Sequence, residues 1–474
     1  MTMRCPRLYE LPPPPDGKTG WPWNEETPPL PEILPDGAPW PRISIVTPSY
    51  NQAAFLEETI RSVLLQGYPN LEYIIMDGGS NDGSVDIIKK YAPHLEHWAS
   101  EPDRGQSHAI NKGWERATGA VVAFLNSDDL YLPSALRDSV TYLHEHAGTD
   151  MMYAYCQDID QDGAPLELKG PGEFDLRLFL DSCYIRQPTV FLRRSLRERV
   201  GYLDESLYYA LDYDYWLRSV KFTTPGRLAH VTACARYHAD AKSTSDITGI
   251  YRDQLGMFDR MFGDGTLPQG DPVLTRAAYL PCLVFLSGLA NRARADERAE
   301  ALARLRNLDP RPTSRELSLL IAGHDAYRDS PYLSTCQDVR DLQKSRVSVD
   351  AYQILPSLVA NGIASEAMSR NVRGRLEAYA AFRGILHSGE ESDSRVVLLR
   401  LIRVCALCPW LLSTRVCWKE FARATAIGLS LLPIYRIARD TRRSLLQLLR
   451  TRRHRISSNS ASDFPRGRTG QAAG

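Results

Sequence analysis

Long apolar runs are missing from this chain of 474 residues. No clean stretch of about eighteen apolar residues occurs, so a membrane-spanning helix is not expected. The opening residues Met1 to Gly20 are rich in proline and have no apolar centre, so no signal peptide is expected either. An excess of one charge is also missing, because 57 Lys and Arg balance 57 Asp and Glu. The overall balance therefore names no partner. Cysteine is present but not organised: the nine cysteines are scattered, and only Cys405 and Cys408 form a CxxC pair, with no second pair and no histidine cluster nearby. That pattern argues against a zinc site and for reduced thiols in a cytoplasmic protein. No internal repeat is present.

What remains is the composition of a globular protein, 43% hydrophobic and 24% charged, long enough for two or three domains. Residues 1–40 carry the run Pro12 to Pro15 and several more prolines, which rules out helix or a central strand. The tryptophans of Trp21-Pro22-Trp23 and Trp40 indicate a segment lying extended along the next domain. From Pro41 strands and helices alternate. Ile43 to Thr47 is a short β-rich run that Pro48-Ser49-Tyr50-Asn51 breaks, and apolar residues then recur at helical spacing from Phe55 to Leu64. Leu71 to Met76 is a second strand, ending at Asp77-Gly78-Gly79-Ser80-Asn81-Asp82-Gly83. Helices follow over Ser84 to Tyr91 and Arg104 to Ala117. Ala120 to Leu125 is fully apolar, as in the middle of a parallel sheet, and runs into Asn126-Ser127-Asp128-Asp129.

This alternation predicts an α/β protein with a Rossmann-like, mostly parallel open sheet and helices on both faces. Ligands of such sheets bind beyond the carboxyl ends of the strands, where Thr47–Asn51, Asp77–Gly83 and Asn126–Asp129 should converge. Between 150 and 265 the pattern is mixed: strands over Met151 to Cys156 and Thr189 to Arg193, a hairpin at Asp162-Gly163, and a helix over Asp212 to Val220. Past Gly265 strand signals fade. The division expected is a proline-rich segment 1–40, an α/β domain 41–265, a helical region 266–394 and a basic tail 395–474.

Three features carry chemistry. Asp128-Asp129, just past a buried strand, suit a hard cation such as Mg²⁺ or Mn²⁺, although a solvated turn favours the same residues. Asp77 closes an apolar strand where a carboxylate can accept from a base or a ribose, with Gly78, Gly79 and Gly83 permitting close approach; a plain strand-to-helix turn has the same look. Leu211-Asp212-Tyr213-Asp214-Tyr215-Trp216-Leu217-Arg218 pairs two carboxylates with aromatic walls that raise basicity, while Asp212 also fits a helix N-cap.

Taken in order, these stretches, with Ser100-Glu101-Pro102-Asp103-Arg104-Gly105-Gln106 and Ala109-Ile110-Asn111-Lys112-Gly113, resemble family-2 inverting glycosyltransferases of the GT-A fold. The resemblance runs from about Pro41 to Phe262. It implies transfer of a sugar from a nucleotide-diphosphate donor, UDP-sugars favoured, to a hydroxyl of a glycan or lipid-linked acceptor, assisted by Mn²⁺ or Mg²⁺. It implies nucleotide contacts at Thr47, Pro48, Tyr50, Asp77 and Asp128. Asp128, Asp129 and His238 would serve the metal or diphosphate, and Asp212 would be the base. Gln187, Asp214 and Trp216 are placed on the acceptor side, although Gln187-Pro188-Thr189 is also a plain loop feeding a strand. Two departures stand out. The acidic motif opens with Asn126 where aspartate is common, and Gly78 stands where many relatives carry a second aspartate, which suits a subgroup linked to surface polysaccharide synthesis.

The tail from Arg395 onward holds about sixteen Lys and Arg against three Asp and Glu. Arg436, Arg439, Arg443 and Arg450 share one helical face, so an anionic membrane surface is a possible partner and the inner face of the membrane a possible location. The same arginines could instead pair with an acidic catalytic domain. No nucleic-acid-binding module accompanies them. A nucleotide-sugar-binding scaffold without transfer activity is the alternative function.

Overall fold

The structure is a computed structural model that describes residues 4–239, 241–242, 246–289, 294–308 and 354–373, together with 312 and 317. The arginine-striped tail lies outside the described residues. Among the described residues no helix is long and apolar enough to cross a membrane.

Among the described residues nine strands form one sheet. In chain order they are β1 (Ile43–Ser49), β2 (Leu71–Asp77), β3 (His97–Ser100), β4 (Val121–Phe124), β5 (Leu130–Tyr131), β6 (Met151–Asp160), β7 (Pro165–Lys169), β8 (Phe191–Arg193) and β9 (Gly226–Tyr237). The spatial order is β3-β2-β1-β4-β8-β6-β9-β5, with β7 paired to β6. The first four strands of that order are parallel. Beyond β4 the sheet is mixed, β8 running antiparallel to both β4 and β6. The parallel half is in register at its carboxyl ends: Ser49 faces Asp77, Asp77 faces Ser100, and Val46 faces Phe124.

Helices cover both faces, in chain order α1 (Leu56–Leu64), α2 (Ser84–Tyr91), α3 (Gln106–Arg116), α4 (Ala135–Glu145), α5 (Leu176–Asp181), α6 (Arg194–Val200), α7 (Leu211–Val220) and α8 (Ile247–Gly263). Period-2 alternation explains why the central strands read as unbroken apolar runs. Val46, Ile74, Met76, Val122 and Phe124 pack on one face with Trp114 of α3 and Trp216 of α7. Ile43, Ile45, Tyr73, Ile75 and Ala123 pack on the other with α1 and α4. The later helices Pro272–Val284 and Ala295–Asn307 add to the first cluster.

The proline-rich opening segment belongs to the second cluster. Cys5, Leu11, Leu34 and Trp40 are buried in it. Arg61 of α1, fully buried, fixes the segment: its guanidinium donates to the carbonyls of Pro12 (2.8 Å), Pro22 (3.0 Å) and Trp23 (2.7 Å).

Several details differ from the sequence expectation. β1 continues through Pro48 to Ser49 instead of breaking. Its pairing with β4 ends at Val46, so Pro48 stands where the strand is open on one side and a missing donor is tolerated. β3 was not expected, since His-Trp-Ala-Ser is short and only half-buried at the sheet edge. β9, whose first half is mostly half-buried, escaped an apolar-pattern reading. Gln187–Thr189 form a 3₁₀ turn, so β8 starts only at Phe191. The Asp162-Gly163 hairpin does join β6 to β7, with Gly163 at φ +87°.

Candidate active site

The parallel strands deliver their loops to one rim, where a cleft of about 830 Å³ opens. Nucleotide-sized ligands occupy clefts of about 300–1,000 Å³. On the β1/β2 side its wall is Pro48, Ser49, Tyr50, Gly78 and Asp103. Asn126 to Asp129 form the middle. The far wall comes from Cys183 to Pro188 and from Tyr208 to Tyr213, including Asp212. Residues far apart in the chain thus share one cavity because β4 separates the two walls.

The carboxylate pair is held asymmetrically. Asp129 is buried: its Oδ1 accepts from the backbone N–H of Arg236 (2.9 Å), and its Oδ2 from Asn126 Nδ2 (3.3 Å). Burial, and then the negative charge of Asp128, push its carboxyl well above the usual carboxylate range. Asn126 in turn accepts from Gln106 Nε2 at 2.7 Å. An asparagine at the head of the motif therefore supplies Asp129 with a donor, where an aspartate would add a third negative charge. Asp128 is reached by His238, whose Nε2 lies 3.1 Å from Oδ2. An Nε2–H donating to that carboxylate orients Asp128 and leaves that nitrogen no lone pair for a metal. Arg236 secures the loop from below, donating from Nε to the Asp128 carbonyl (2.9 Å) and pairing with Glu58 (2.8 Å).

Asp212 is the second residue of α7, in its first turn and not at its cap; Ala210 is the N-cap residue. Its Oδ1 accepts from the Tyr213 backbone N–H at 2.8 Å. Burial raises its proton affinity above the ordinary aspartate, while that N–H bond and the charge of Arg186 hold the rise in check. Nearby Cys183 is pushed well above its usual range by burial and by Asp212, so it stays a thiol and is a poor nucleophile.

Four expected site residues lie elsewhere. Thr47 is fully buried below the rim, its hydroxyl 3.0 Å from the Tyr73 hydroxyl. Asp77, 1% exposed, organises its own loop: its carboxylate accepts from Gly79 N (3.1 Å), Ser80 N (2.9 Å), Ser100 Oγ (2.7 Å) and Ser80 Oγ. Asp214 points away from the cleft into an ion-pair clamp, Arg218 Nε at 2.8 Å and Arg260 beside it. Trp216 stacks on Phe124 in the core, with centroids 6.3 Å apart. Helical spacing explains the last two, since only one face of α7 meets the cleft. Pro48, Tyr50, Asp128, Asp129, Gln187 and Asp212 do line it.

Sequence reasoning assigned no role to Ser49, Asp103, Arg186, Tyr208 and Lys242, which also line the cleft. Asp103 explains Gly78: a Cβ at position 78 would sit 2.8 Å from Asp103 Oδ2 and 3.3 Å from the Tyr50 ring. The carboxylate of Asp103 fills the space that a side chain at 78 would need. Lys242 lies over the Tyr208 ring at 3.9 Å, and burial lowers its pKa to about 8 against the pull of Asp103 and Asp253. Ser49, in the Thr47–Asn51 loop, and Asp103, in the Glu-Pro-Asp-Arg-Gly stretch, had sequence signals pointing to this place.

A mixed α/β sheet thus places an acidic loop and one further carboxylate, Asp212, around a single cleft. Residues 44–200 match glycosyl transferase family 2. An uncharacterised glycosyltransferase of Mycobacterium tuberculosis is 30% identical over 190 residues, 39% of this chain and 71% of that protein. The chain belongs to glycosyl transferase family 2. An uncharacterised glycosyltransferase of Rickettsia typhi is 30% identical over 214 residues, 43% of this chain and 66% of that protein. A putative teichuronic acid biosynthesis glycosyltransferase of Bacillus subtilis is 37% identical over 132 residues, 27% of this chain and 51% of that protein. The chain thus spans a little under two thirds of the Rickettsia relative and about half of the Bacillus one.

Proposed function

We propose that the chain transfers a sugar from a nucleotide diphosphate, with UDP-sugars favoured, to an acceptor hydroxyl with inversion at the anomeric carbon. The observation that carries this is the placement of Asp212 on one wall of a cleft whose middle is the Asp128-Asp129 loop. Asp212 takes the proton of the acceptor hydroxyl, which attacks the anomeric carbon from the side opposite the leaving diphosphate. Pro48 and Tyr50 border the base, and Asp77 acts on it indirectly by shaping the loop that contains Gly78. Lys242 contributes positive charge near the diphosphate.

The residues fit a divalent cation such as Mn²⁺ or Mg²⁺. The donor set is hard carboxylate oxygen, and burial followed by the neighbouring charge of Asp128 disfavours the charged form of Asp129, a cost that a cation held by the pair would offset. Among the described residues no three His, Cys, Asp or Glu cluster to hold a metal, so Asp128 and Asp129 are the residues that would hold it. When bound at Asp128 and Asp129, the cation would neutralise charge on the departing diphosphate. His238 then orients Asp128.

The acceptor in this reading is a glycan or lipid-linked sugar of surface polysaccharide or glycoconjugate synthesis, in keeping with the Bacillus relative. Action at the inner face of the membrane follows if the basic stretch 395–474 meets anionic lipid. The test is a panel of nucleotide sugars incubated with Mn²⁺. Slow release of nucleotide diphosphate from one of them, lost on adding a chelator, is expected. No turnover and no binding across the panel would refute the reading.

A further inference from the structure

We propose that Gln187 is a specificity-determining residue whose side-chain oxygen accepts a hydrogen bond from a ring hydroxyl of the transferred sugar. The inference rests on the nucleotide-sugar reading above and goes beyond it by naming the atom that reads the sugar.

Gln187 opens the 3₁₀ turn Gln187–Thr189, and the turn is well tied. The Val190 N–H donates to the Gln187 carbonyl at 3.1 Å, and Thr189 Oγ1 donates to the Arg186 carbonyl at 2.8 Å. The side chain reaches β4, where Nε2 donates to the Phe124 carbonyl at 2.7 Å. A carbonyl oxygen can only accept, so this contact fixes which end of the amide is nitrogen. The oxygen is therefore directed elsewhere. Gln187 is 9% exposed, it lines the cleft, and its Oε1 has no hydrogen-bond partner among the described residues. A buried amide oxygen without a partner is costly, so this orientation is one that a ligand donor would complete.

The chemistry of the missing partner is restricted. An amide oxygen accepts only, so phosphate oxygens are excluded and an O–H or N–H donor is required. The strand order decides which part of the ligand supplies it. Pro48, Tyr50 and Gly78 stand at the ends of β1 and β2, on one side of β4. Gln187 precedes β8, on the other side of β4, and shares that wall with Asp212. A nucleotide lying with its base against Pro48 and Tyr50 directs its sugar toward this second wall, past the Asp128-Asp129 loop. A sugar hydroxyl is the donor that arrives there. A site built to pair with a hydroxyl discriminates strongly against analogues lacking it.

The experiment is calorimetry in the presence of Mn²⁺ with UDP and with a panel of UDP-sugars, on the full chain and on Gln187→Met, which keeps length but has no polar oxygen or nitrogen. UDP affinity should stay within about two-fold, while the gain that the preferred sugar gives over UDP should shrink by about ten-fold. Deoxy forms of that UDP-sugar sharpen the test and need no variant. One of them should lose about ten-fold on the wild-type chain, and the same form should lose nothing further on Gln187→Met. If Gln187→Met does not fold, Gln187→Glu takes its place in the same series, and indifference of the wild-type chain to every deoxy form still overturns the proposal. A sugar gain left intact in Gln187→Met would mean that Gln187 serves only Phe124 or a water, and overturns the proposal. So does a wild-type chain indifferent to every deoxy position, or one that binds UDP with no sugar improving on it. A chain that binds neither UDP nor any UDP-sugar overturns the glycosyl-transfer reading itself, and this assignment with it.

Discussion

Two carboxylates stand two residues apart on α7 and have opposite surroundings. Asp214 is fully buried and clamped between Arg218 and Arg260, so its charge is consumed in joining α7 to α8. Asp212, on the cleft face, accepts from the Tyr213 backbone N–H, and burial raises its proton affinity. A carboxylate whose oxygens are taken up by two guanidiniums has none to offer a substrate proton, whereas one on the cleft face does. The difference shows why a motif of two aspartates on one helix yields one candidate for chemistry and one for architecture.

The comparison breaks most sharply at Asp212. Asp212→Asn should lower transfer by about 10²–10⁴-fold with donor affinity little changed, measured as turnover and calorimetric affinity on the same protein. Stability should move the other way. A carboxyl whose folded pKa is raised contributes stability that is complete below its unfolded pKa and is lost as pH rises through the folded one. At neutral pH the amide escapes that loss, so Asp212→Asn should melt slightly higher than wild type. Turnover within a few-fold of wild type would remove Asp212 from the mechanism.

Asp214→Ala should do the reverse. Breaking a buried ion pair costs about 3–5 kcal/mol. The partly exposed Arg260 can turn to water, which favours the lower figure. Denaturant unfolding measures it, and donor affinity per folded molecule should persist. A stable Asp214→Ala that has lost donor affinity would put Asp214 back in the site.

The pH profile gives a smaller effect. The acid limb of turnover should lie above the ordinary aspartate range and vanish in Asp212→Asn, since the base must be ionised. Nucleotide-diphosphate affinity should weaken as pH rises through about 8, where Lys242 loses its charge. Lys242→Met should flatten that second trend. The smallest effect is expected at Gly78→Ala, whose Cβ would press on the side-chain end of Asp103. A few-fold loss of UDP affinity with unchanged melting is expected, and no loss would show that Asp103 can swing aside freely.

Much of this was legible in the sequence because parallel strands buried on both faces announce themselves as apolar runs, and their ends bear polar loops. Ala120–Leu125 followed by Asn126–Asp129 is read this way directly. Which face a loop residue presents is another matter. Thr47 and Pro48 are neighbours, yet one bonds Tyr73 in the core and the other lines the cleft. Asp77 looks like a ligand contact until the four donors around it are seen. The far wall was harder. Gln187 and Asp212 were picked out, but Arg186 and Tyr208 sit in irregular segments with no periodicity to mark them.

The buried guanidinium of Arg61 has a further consequence for where this catalytic body can be cut. Composition changes abruptly near residue 40, and a trimming experiment guided by that change would begin the protein at β1. Such a piece would retain a cation in the hydrophobic interior while discarding the three carbonyls that solvate it. The proline-rich lead is in this sense the solvent of Arg61, and the chemically visible seam is not a mechanical one.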